Sequence, residues 1–456
     1  MLTGMSMDIK VNVENLSTEI KNLLDANYIN SIAKQTGFIL REGKIDGFVF
    51  LDMLLFTHFN HRMLSLNDLS IQIKKRFGID ISRQSIDERF TNRAVEFFRT
   101  VLEKALEITI SKHYNIDFLN HDRVLIKDAT SFQLPENMVD KYKGSGGSGS
   151  ISAIKIQFEY DLITGEIIDI SLFPFIVQDS TNAQDTIKNI LDNELIIRDL
   201  GYINVPVLRE IEEKKAFYVN RMQTSVNVYE KKDGKFVEID FGELHKSMKI
   251  RGISIIEKDV FIGKKEMFKT KMIVELLPEK YYKERIRKAK ENTRKKGRTL
   301  TDKYKTKQAM NIYITNTDIP FKEIRLLYTL RWQIELMFKI WKSIGEIHEV
   351  KKMKVERFES FLFAKLIWIV LNWQIMRLSV NYFYQEKQIE ISPYKLFKTL
   401  KSDIYDFRRA LLNCVTNLTM LIMENIELCP TNHLSEKKKG SKTWSYDIYR
   451  MFQTNK

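Results

Sequence analysis

The order of strands and helices between residues 123 and 221 constrains the fold of this chain most strongly. Period-two apolar patterns predict strands, and longer segments with helical periodicity predict helices. The predicted segments are strands at 123–128, 154–162 and 166–173, a helix at 181–191, a strand at 195–199, a helix at 204–214 and a strand at 216–221. This order predicts an α/β sheet with three antiparallel strands first, and it is the order of a ribonuclease-H-like catalytic core.

Two of these predicted strands end at a carboxylate. Asp128 closes the first strand and Asp199 closes the fourth. Each acid alone reads equally well as an ordinary turn or capping residue. The first and fourth strands of a ribonuclease-H-like core are neighbours, so we expect the two carboxylates to face each other.

A third acid lies in a segment that predicts a helix, because residues 321–344 contain no Gly or Pro. At roughly 100° per residue, four polar side chains fall within an arc of about 60°. They are Tyr328, Arg331, Glu335 and Lys342. An ordinary solvated helix face is the simpler interpretation. A carboxylate between phosphate-binding groups, however, is typical of metal-dependent nucleases and transferases.

Together, these segments resemble the DDE transposases of the bacterial insertion-sequence-four family. The resemblance rests on the residues around Asp128, the Gly/Ser-rich loop at 143–151, the residues around Asp199, and the spacing Y-(2)-R-(3)-E-(6)-K at 328–342. It implies that Asp128, Asp199 and Glu335 are the catalytic triad and hold two Mg²⁺ ions, for which Mn²⁺ can substitute. It also implies that Tyr328, Arg331 and Lys342 contact DNA.

The gap between Asp199 and Glu335 is 136 positions, which is too long for a bare ribonuclease-H-like core. Five strand-like runs predict an antiparallel, mainly β insertion at 222–317. Residues 280–307 carry 13 Lys or Arg against three acids, which predicts either a solvated surface or a stripe that contacts phosphates. Arg221, just before the insertion, is a further candidate DNA contact. In relatives that form hairpins, a Trp near the last strand holds a flipped base, and the resemblance places Met310 there.

The N-terminal region predicts a helix that begins after Ser65 and ends at Gly78, then a short helix after Ser82. This layout fits a helix-turn-helix DNA reader, with Arg83, Gln84 and Arg89 as the candidate contacts. A generic helical hairpin fits the same pattern. The predicted regions are a helical DNA-binding region (1–120), the two parts of the core (121–221 and 318–382), the insertion between them (222–317) and a helical C-terminal region (383–456).

Charge and composition indicate the kind of partner. The chain of 456 residues has a formal net charge of +14, which favours a polyanionic partner such as double-stranded DNA. Two separated cysteines and an N-terminus without a signal-peptide pattern indicate the bacterial cytoplasm, near the nucleoid. The apolar stretch at 361–376 is short for a membrane span and contains three polar residues, so we expect a buried helix and no membrane partner.

The sequence therefore predicts an insertion-sequence transposase that cleaves the ends of its element and joins the 3′-OH ends to target DNA, acting as a homodimer. Two alternatives remain open. One is a ribonuclease-H-like nuclease that cuts without joining. The other is an inactive DNA-binding protein descended from a transposase.

Overall fold

The computed structural model describes residues 6–41, 43–57, 65–108, 120–147, 149–202, 204–222, 226–295, 297, 299–331 and 333–435. Its helices are α1 (Met7–Leu23), α2 (Ala26–Gln35), α3 (Gly47–Leu55), α4 (Leu66–Phe77), α5 (Arg83–Arg89), α6 (Asn92–Leu106), α7 (Asp179–Asp185), α8 (Val205–Glu213), α9 (Phe241–Ile250), α10 (Glu279–Lys295), α11 (Asp302–Gln308), α12 (Phe321–Leu330), α13 (Gln333–Ser343), α14 (Val355–Lys387), α15 (Pro393–Ser402), α16 (Ile404–Asn413), α17 (Val415–Glu427) and α18 (Cys429–Asn432). Its strands are β1 (Val124–Gln133), β2 (Ala153–Asp161), β3 (Ile167–Pro174), β4 (Leu195–Arg198), β5 (Phe217–Arg221), β6 (Val228–Lys232), β7 (Lys235–Glu238), β8 (Ile255–Ile262), β9 (Phe268–Leu276) and β10 (Met310–Thr315).

All ten described strands form one mixed sheet in the order β3-β2-β1-β4-β5-β10-β9-β8-β6-β7. Strand β1 is antiparallel to β2 and parallel to β4, and β4 is parallel to β5. The predicted neighbourhood of the first and fourth strands is therefore confirmed. The helix expected at 181–191 is shorter, because α7 ends at Asp185 and a 3₁₀ turn at Ile187–Asn189 follows it.

The prediction that the first strand ends at Asp128 is wrong. Strand β1 continues to Gln133, because its antiparallel ladder with β2 extends as far as the pair Gln133 and Ala153. The parallel pairing with β4 does stop at the pair Lys127 and Arg198. Asp128 is thus the first residue of β1 beyond the parallel pairing, although the strand itself continues.

Strands from residues 222–317 continue the same sheet. Strand β10 pairs with β5 on one side and with β9 on the other, and β8, β6 and β7 follow. The five strands expected in this part of the chain are all present, together with the helices α9, α10 and α11. Helix α10, which carries most of the basic residues at 280–307, is tied to the start of β10, because Arg285 donates to the carbonyls of Gln308 and Met310.

The single helix expected over residues 321–344 is broken into α12 and α13. Helix α12 ends at Leu330, and α13 begins at Gln333. At the break, the N–H of Ile334 donates to the carbonyl of Arg331 at 3.1 Å, which is a tighter i to i+3 bond than an α-helix uses. Helix propensity does not reveal this break, since the segment contains no Gly or Pro.

Apolar residues on the two faces of the sheet form two buried clusters. The larger one contains Ile126, Phe158, Trp341 and most of α14. Helix α14 is 33 residues long, and among the described helices it is the one that is long and apolar enough to cross a membrane. Its most apolar stretch is entirely buried inside the fold. The buried helix expected at 361–376 is confirmed.

The N-terminal helices carry the caps that the sequence indicates. Ser65 forms a capping box with Asp68 at the start of α4, and Gly78 ends the helix at φ 69°. Ser82 caps α5 by accepting from the N–H of Ser85. Buried Asp52 of α3 joins this region to the C-terminal helices, because Arg408 of α16 donates to it at 2.6 Å.

Candidate active site

Three acids from separate elements meet on one face of the sheet. Asp128 lies on β1, Asp199 directly follows β4, and Glu335 lies in the first turn of α13. Asp128 stands opposite Phe158 in the ladder, and Phe158 packs against Trp341 of α13 at 4.8 Å between ring centroids. This packing sets α13 against β1 and β2, so Glu335 lies near the two aspartates.

Arg331, at the break between α12 and α13, contacts all three acids. One terminal nitrogen lies 2.5 Å from Asp128 Oδ2, and the other lies 3.8 Å from Asp199 Oδ2 and 3.7 Å from Glu335 Oε1. Its side chain is 11% exposed. The three carboxylates therefore converge on one cationic group, which partly offsets their mutual repulsion.

Tyr328 holds the second acid from the preceding turn of α12. Its hydroxyl donates to Asp199 Oδ1 at 2.6 Å, and the Arg331 guanidinium lies 5.5 Å from the centre of its ring. The ring also meets Tyr313 of β10 edge-on at 5.4 Å. Tyr328 thus connects the acids to the part of the sheet that residues 222–317 supply.

Burial and charge act in opposite directions on these groups. Burial raises the pKa of Asp128 to about 6, Asp199 and Glu335 raise it too, and Arg331 and the Ala129 N–H partly oppose the shift. The pKa of Arg331 is raised, since the carboxylates outweigh its own burial. The negative charge of the three carboxylates is therefore only partly balanced by Arg331, which favours the binding of further cations.

Lys342 follows Glu335 by seven residues on α13, but it contacts the backbone of β1. Its ammonium donates to the carbonyl of Ser131 at 3.0 Å, and burial lowers the pKa of the amine. In this structure it secures the part of β1 that follows Asp128. A contact between Lys342 and DNA remains a prediction.

A buried ionic network lies on the opposite face of the same strands. Glu159 of β2 pairs with Lys127 at 3.4 Å and with Arg198 at 3.1 Å. These two cations directly precede Asp128 and Asp199 in the chain. All three side chains are at most 1% exposed. Although burial raises the pKa of Glu159, the two cations more than offset this, so its pKa is lowered. Sequence reasoning missed this network, and the alternation of Lys155, Gln157 and Glu159 on β2 was the available signal.

The three acids fit a divalent metal in their chemistry, since Mg²⁺ prefers ligand sets made of oxygen. Their convergence on the Arg331 guanidinium shows that one small cationic group reaches all of them. Across the described residues, no set of three or more acidic, His or Cys side chains is placed to hold an ion as it stands. Arg331 lies between the acids, so metal binding requires the guanidinium to move aside.

The other sequence-predicted residues lie outside this constellation. Arg83 and Gln84 are exposed on α5, whereas Arg89 is half-buried there and burial lowers its pKa. Arg221 ends β5 opposite Tyr313, on the same face as the acids. Met310 is 2% exposed within the second apolar cluster, because β10 carries it into the sheet. The expectation that its side chain is presented to a base is therefore not met here.

The constellation of three acids occupies the part of the chain that a family model matches. The model is described as "Transposase DDE domain" and matches residues 120–371, which include β1, β4 and α13. The chain belongs to the DDE transposase family. This transposase is 33% identical, over 84% of its length and 85% of the relative, to the transposase for insertion sequence element IS1151 of Clostridium perfringens.

Other relatives align with this DDE transposase almost from end to end. The transposase for insertion sequence element IS231B of Bacillus thuringiensis subsp. berliner is 28% identical over 98% of the chain and 96% of the relative. The IS231E transposase of Bacillus thuringiensis subsp. finitimus is 29% identical over 95% of each chain. The similarity therefore includes the N- and C-terminal helical regions as well as the matched domain.

Proposed function

We propose that this DDE transposase binds the ends of its own insertion sequence, cleaves the DNA there and joins the freed 3′-OH ends to target DNA. The observation that carries the proposal is the convergence of Asp128, Asp199 and Glu335 on Arg331, because one phosphate-binding residue then lies among three potential metal ligands. The same proposal includes a homodimer that pairs the two ends, and a cytoplasmic location.

The proposed core is ribonuclease-H-like and of the insertion-sequence-four type. The order β3-β2-β1-β4-β5, with β1, β4 and β5 parallel, supports this assignment of the core. The four residues Tyr328, Arg331, Glu335 and Lys342 keep the spacing of that family. The additional strands enter the sheet through β10, after the part that corresponds to such a core.

In the proposed site, Asp128, Asp199 and Glu335 hold divalent cations, with Mg²⁺ as the physiological ion and Mn²⁺ as a substitute. Bound cations of this kind activate the attacking hydroxyl and stabilise the departing oxygen. Arg331 binds the scissile phosphate, since a guanidinium matches the geometry of two phosphate oxygens. Tyr328 keeps Asp199 in place through its 2.6 Å hydrogen bond.

The deciding experiment incubates the purified chain with Mg²⁺, a target plasmid and DNA that carries the ends flanking this coding sequence. Nicked, hairpin and joined products are separated on denaturing gels. The proposal requires cleavage at the element ends and joined product. A pre-cleaved end with a free 3′-OH is offered in parallel, because cutting without joining would identify a nuclease. A chain that binds the ends but yields no product would identify an inactive DNA-binding protein.

Replacing Arg331 by Ala is expected to reduce strand joining about a hundredfold, because a donor aimed at the reacting phosphate is lost. The expected change in thermal stability is small by comparison. Joining rate and melting temperature are measured together, and Arg409→Ala serves as the control, since Arg409 pairs with Asp406 at the surface. A melting temperature that falls in step with activity would instead give Arg331 a structural role.

Mg²⁺ affinity is expected to depend on the proton of Asp128. Because its pKa is raised to about 6, the carboxyl is mostly protonated below that pH, and a cation must displace the proton. The apparent dissociation constant of Mg²⁺ should therefore rise about tenfold for each pH unit below the pKa and level off above it. Titration calorimetry without DNA measures this. An affinity that is the same on both sides of pH 6 would contradict a metal ligand at Asp128 with a raised pKa.

A further inference from the structure

A cluster of arginines lies beside the three acids on the same face of the sheet. We name it the arginine cluster, and its members are Arg221, Arg285, Arg325, Asn311 and Glu275. Arg221 and Arg285 each donate to Asn311 Oδ1, at 3.1 Å and 3.0 Å. Asn311 in turn donates to Glu275 Oε2 at 2.7 Å, and Arg325 pairs with Glu275 Oε1 at 3.1 Å.

The charges of the arginine cluster do not balance. The cluster holds three guanidinium groups and one carboxylate, which pairs with Arg325, so two positive charges are in excess. Glu275 is 7% exposed on its side chain, whereas Arg325 is 56% exposed. Burial lowers the pKa of Arg285, and the nearby charge of Arg221 lowers it further. An anion that arrives from solvent would relieve this repulsion, and a guanidinium binds phosphate oxygens well.

Two tyrosine side chains, Tyr313 and Tyr328, connect the arginine cluster to the proposed catalytic acids. Arg221 stands opposite Tyr313 in the ladder between β5 and β10. Tyr313 touches Tyr328, whose hydroxyl donates to Asp199. Arg325 lies three residues before Tyr328 on α12, so both side chains lie on one face of that helix. The arginine cluster and the acids therefore lie side by side on one face of the sheet.

Arg285 also has a structural use, which a test must separate from ligand binding. Its other terminal nitrogen donates to the carbonyls of Gln308 and Met310, at 3.1 Å and 3.4 Å. These bonds tie α10 to the start of β10. Arg221 and Arg325 make no such backbone contacts among the described hydrogen bonds, so their guanidinium groups are the better probes of binding.

We propose that the arginine cluster binds a backbone phosphate of the DNA next to the scissile phosphate, with Arg221 and Arg325 as its principal ligands. This inference rests on the proposed function and adds a second phosphate site to it. The cluster combines one arginine from the first half of the sheet, one from α10 and one from α12. DNA bound there is held by the inserted segment and the core at the same time.

The test compares Arg325→Gln and Arg221→Gln with the wild-type chain. Fluorescence anisotropy without divalent metal measures binding of a short duplex with the flanking terminal sequence, at several salt concentrations. Each variant is expected to bind about tenfold more weakly, and its slope of log affinity against log salt should fall by about one. Arg409→Gln, which removes a surface arginine of α16 that pairs with Asp406, is the matched control. It should match the wild type.

A second measurement locates the phosphate. Each phosphate near the cleavage site is replaced in turn by a neutral methylphosphonate. One position should weaken wild-type binding about tenfold and leave the affinity of Arg325→Gln unchanged, because the contact is already lost. Unchanged affinity and salt slope in both variants would overturn the inference and leave the arginine cluster a purely structural tie. If the wild-type chain binds the terminal duplex no more tightly than a scrambled duplex, the result counts against the proposed function. The salt slopes of the two variants still test whether the arginine cluster binds a phosphate.

Discussion

Asp128→Asn, Asp199→Asn and Glu335→Gln are each expected to abolish DNA cleavage while binding of the element ends survives. Each change removes one anionic oxygen from the proposed metal ligands and keeps the shape of the side chain. Bound metal contributes several kcal/mol to transition-state stabilisation, which corresponds to a loss of at least about a thousandfold in rate. Cleavage is measured on end-labelled DNA with Mg²⁺, and binding by gel shift without it.

The matched control for these changes is Asp318→Asn. Asp318 is fully exposed and pairs with Lys271, and none of its described contacts is with the three acids or Arg331. This variant should cleave at the wild-type rate. Normal cleavage by any of the three triad variants would remove that residue from the proposed site. Loss of both binding and folding would show instead that the acid is needed for the structure.

Glu159→Gln is expected to lower the free energy of unfolding by about 3–5 kcal/mol, because it removes the buried counter-charge of Arg198 and leaves Lys127 with the more distant Asp169, at 3.7 Å. Urea unfolding followed by circular dichroism measures the change. Cleavage should fall as well, since the network sets the positions of Asp128 and Asp199. Wild-type stability in Glu159→Gln would show that the network contributes little.

Two further variants test the cause of that loss. Glu243→Gln removes an exposed acid that pairs with Lys246, and a surface pair of this kind contributes less than about 1 kcal/mol. Adding Lys127→Met to Glu159→Gln should recover part of the lost stability, because a buried charge that has lost its nearer counter-charge is removed with it. No recovery would indicate that the shape of the Glu159 side chain matters more than its charge.

The sequence alone predicted the elements that bring Asp128 and Asp199 together. Apolar periodicity marked the strands, and their order placed β1 beside β4, as the structure confirms. The capped helices α4 and α5 were predicted from Ser65, Gly78 and Ser82, since capping depends on residues adjacent in the chain. These features are local or follow from topology, so they can be read without coordinates. The catalytic use of Glu335 remains a prediction.

Other features depend on contacts between segments that are distant in sequence. The extension of β1 past Asp128 depends on its partner strand, β2, and the burial of Met310 depends on the register of β10 with β9. The break at Arg331 occurs in a segment with good helix formers and no Gly or Pro. Local propensity is a weak guide at such places, because tertiary contacts override it.

Three acids, the Arg and Tyr spaced around the third, and an excess of basic residues can be read from the amino-acid order. The folded chain adds three contacts that this order does not reveal: Arg331 contacts all three acids, Glu159 pairs with both Lys127 and Arg198, and Arg221 and Arg285 meet at Asn311. The contacts between strands depend on strand register. A shift of one residue moves every side chain of a strand to the other face, and register is set by packing across the whole sheet.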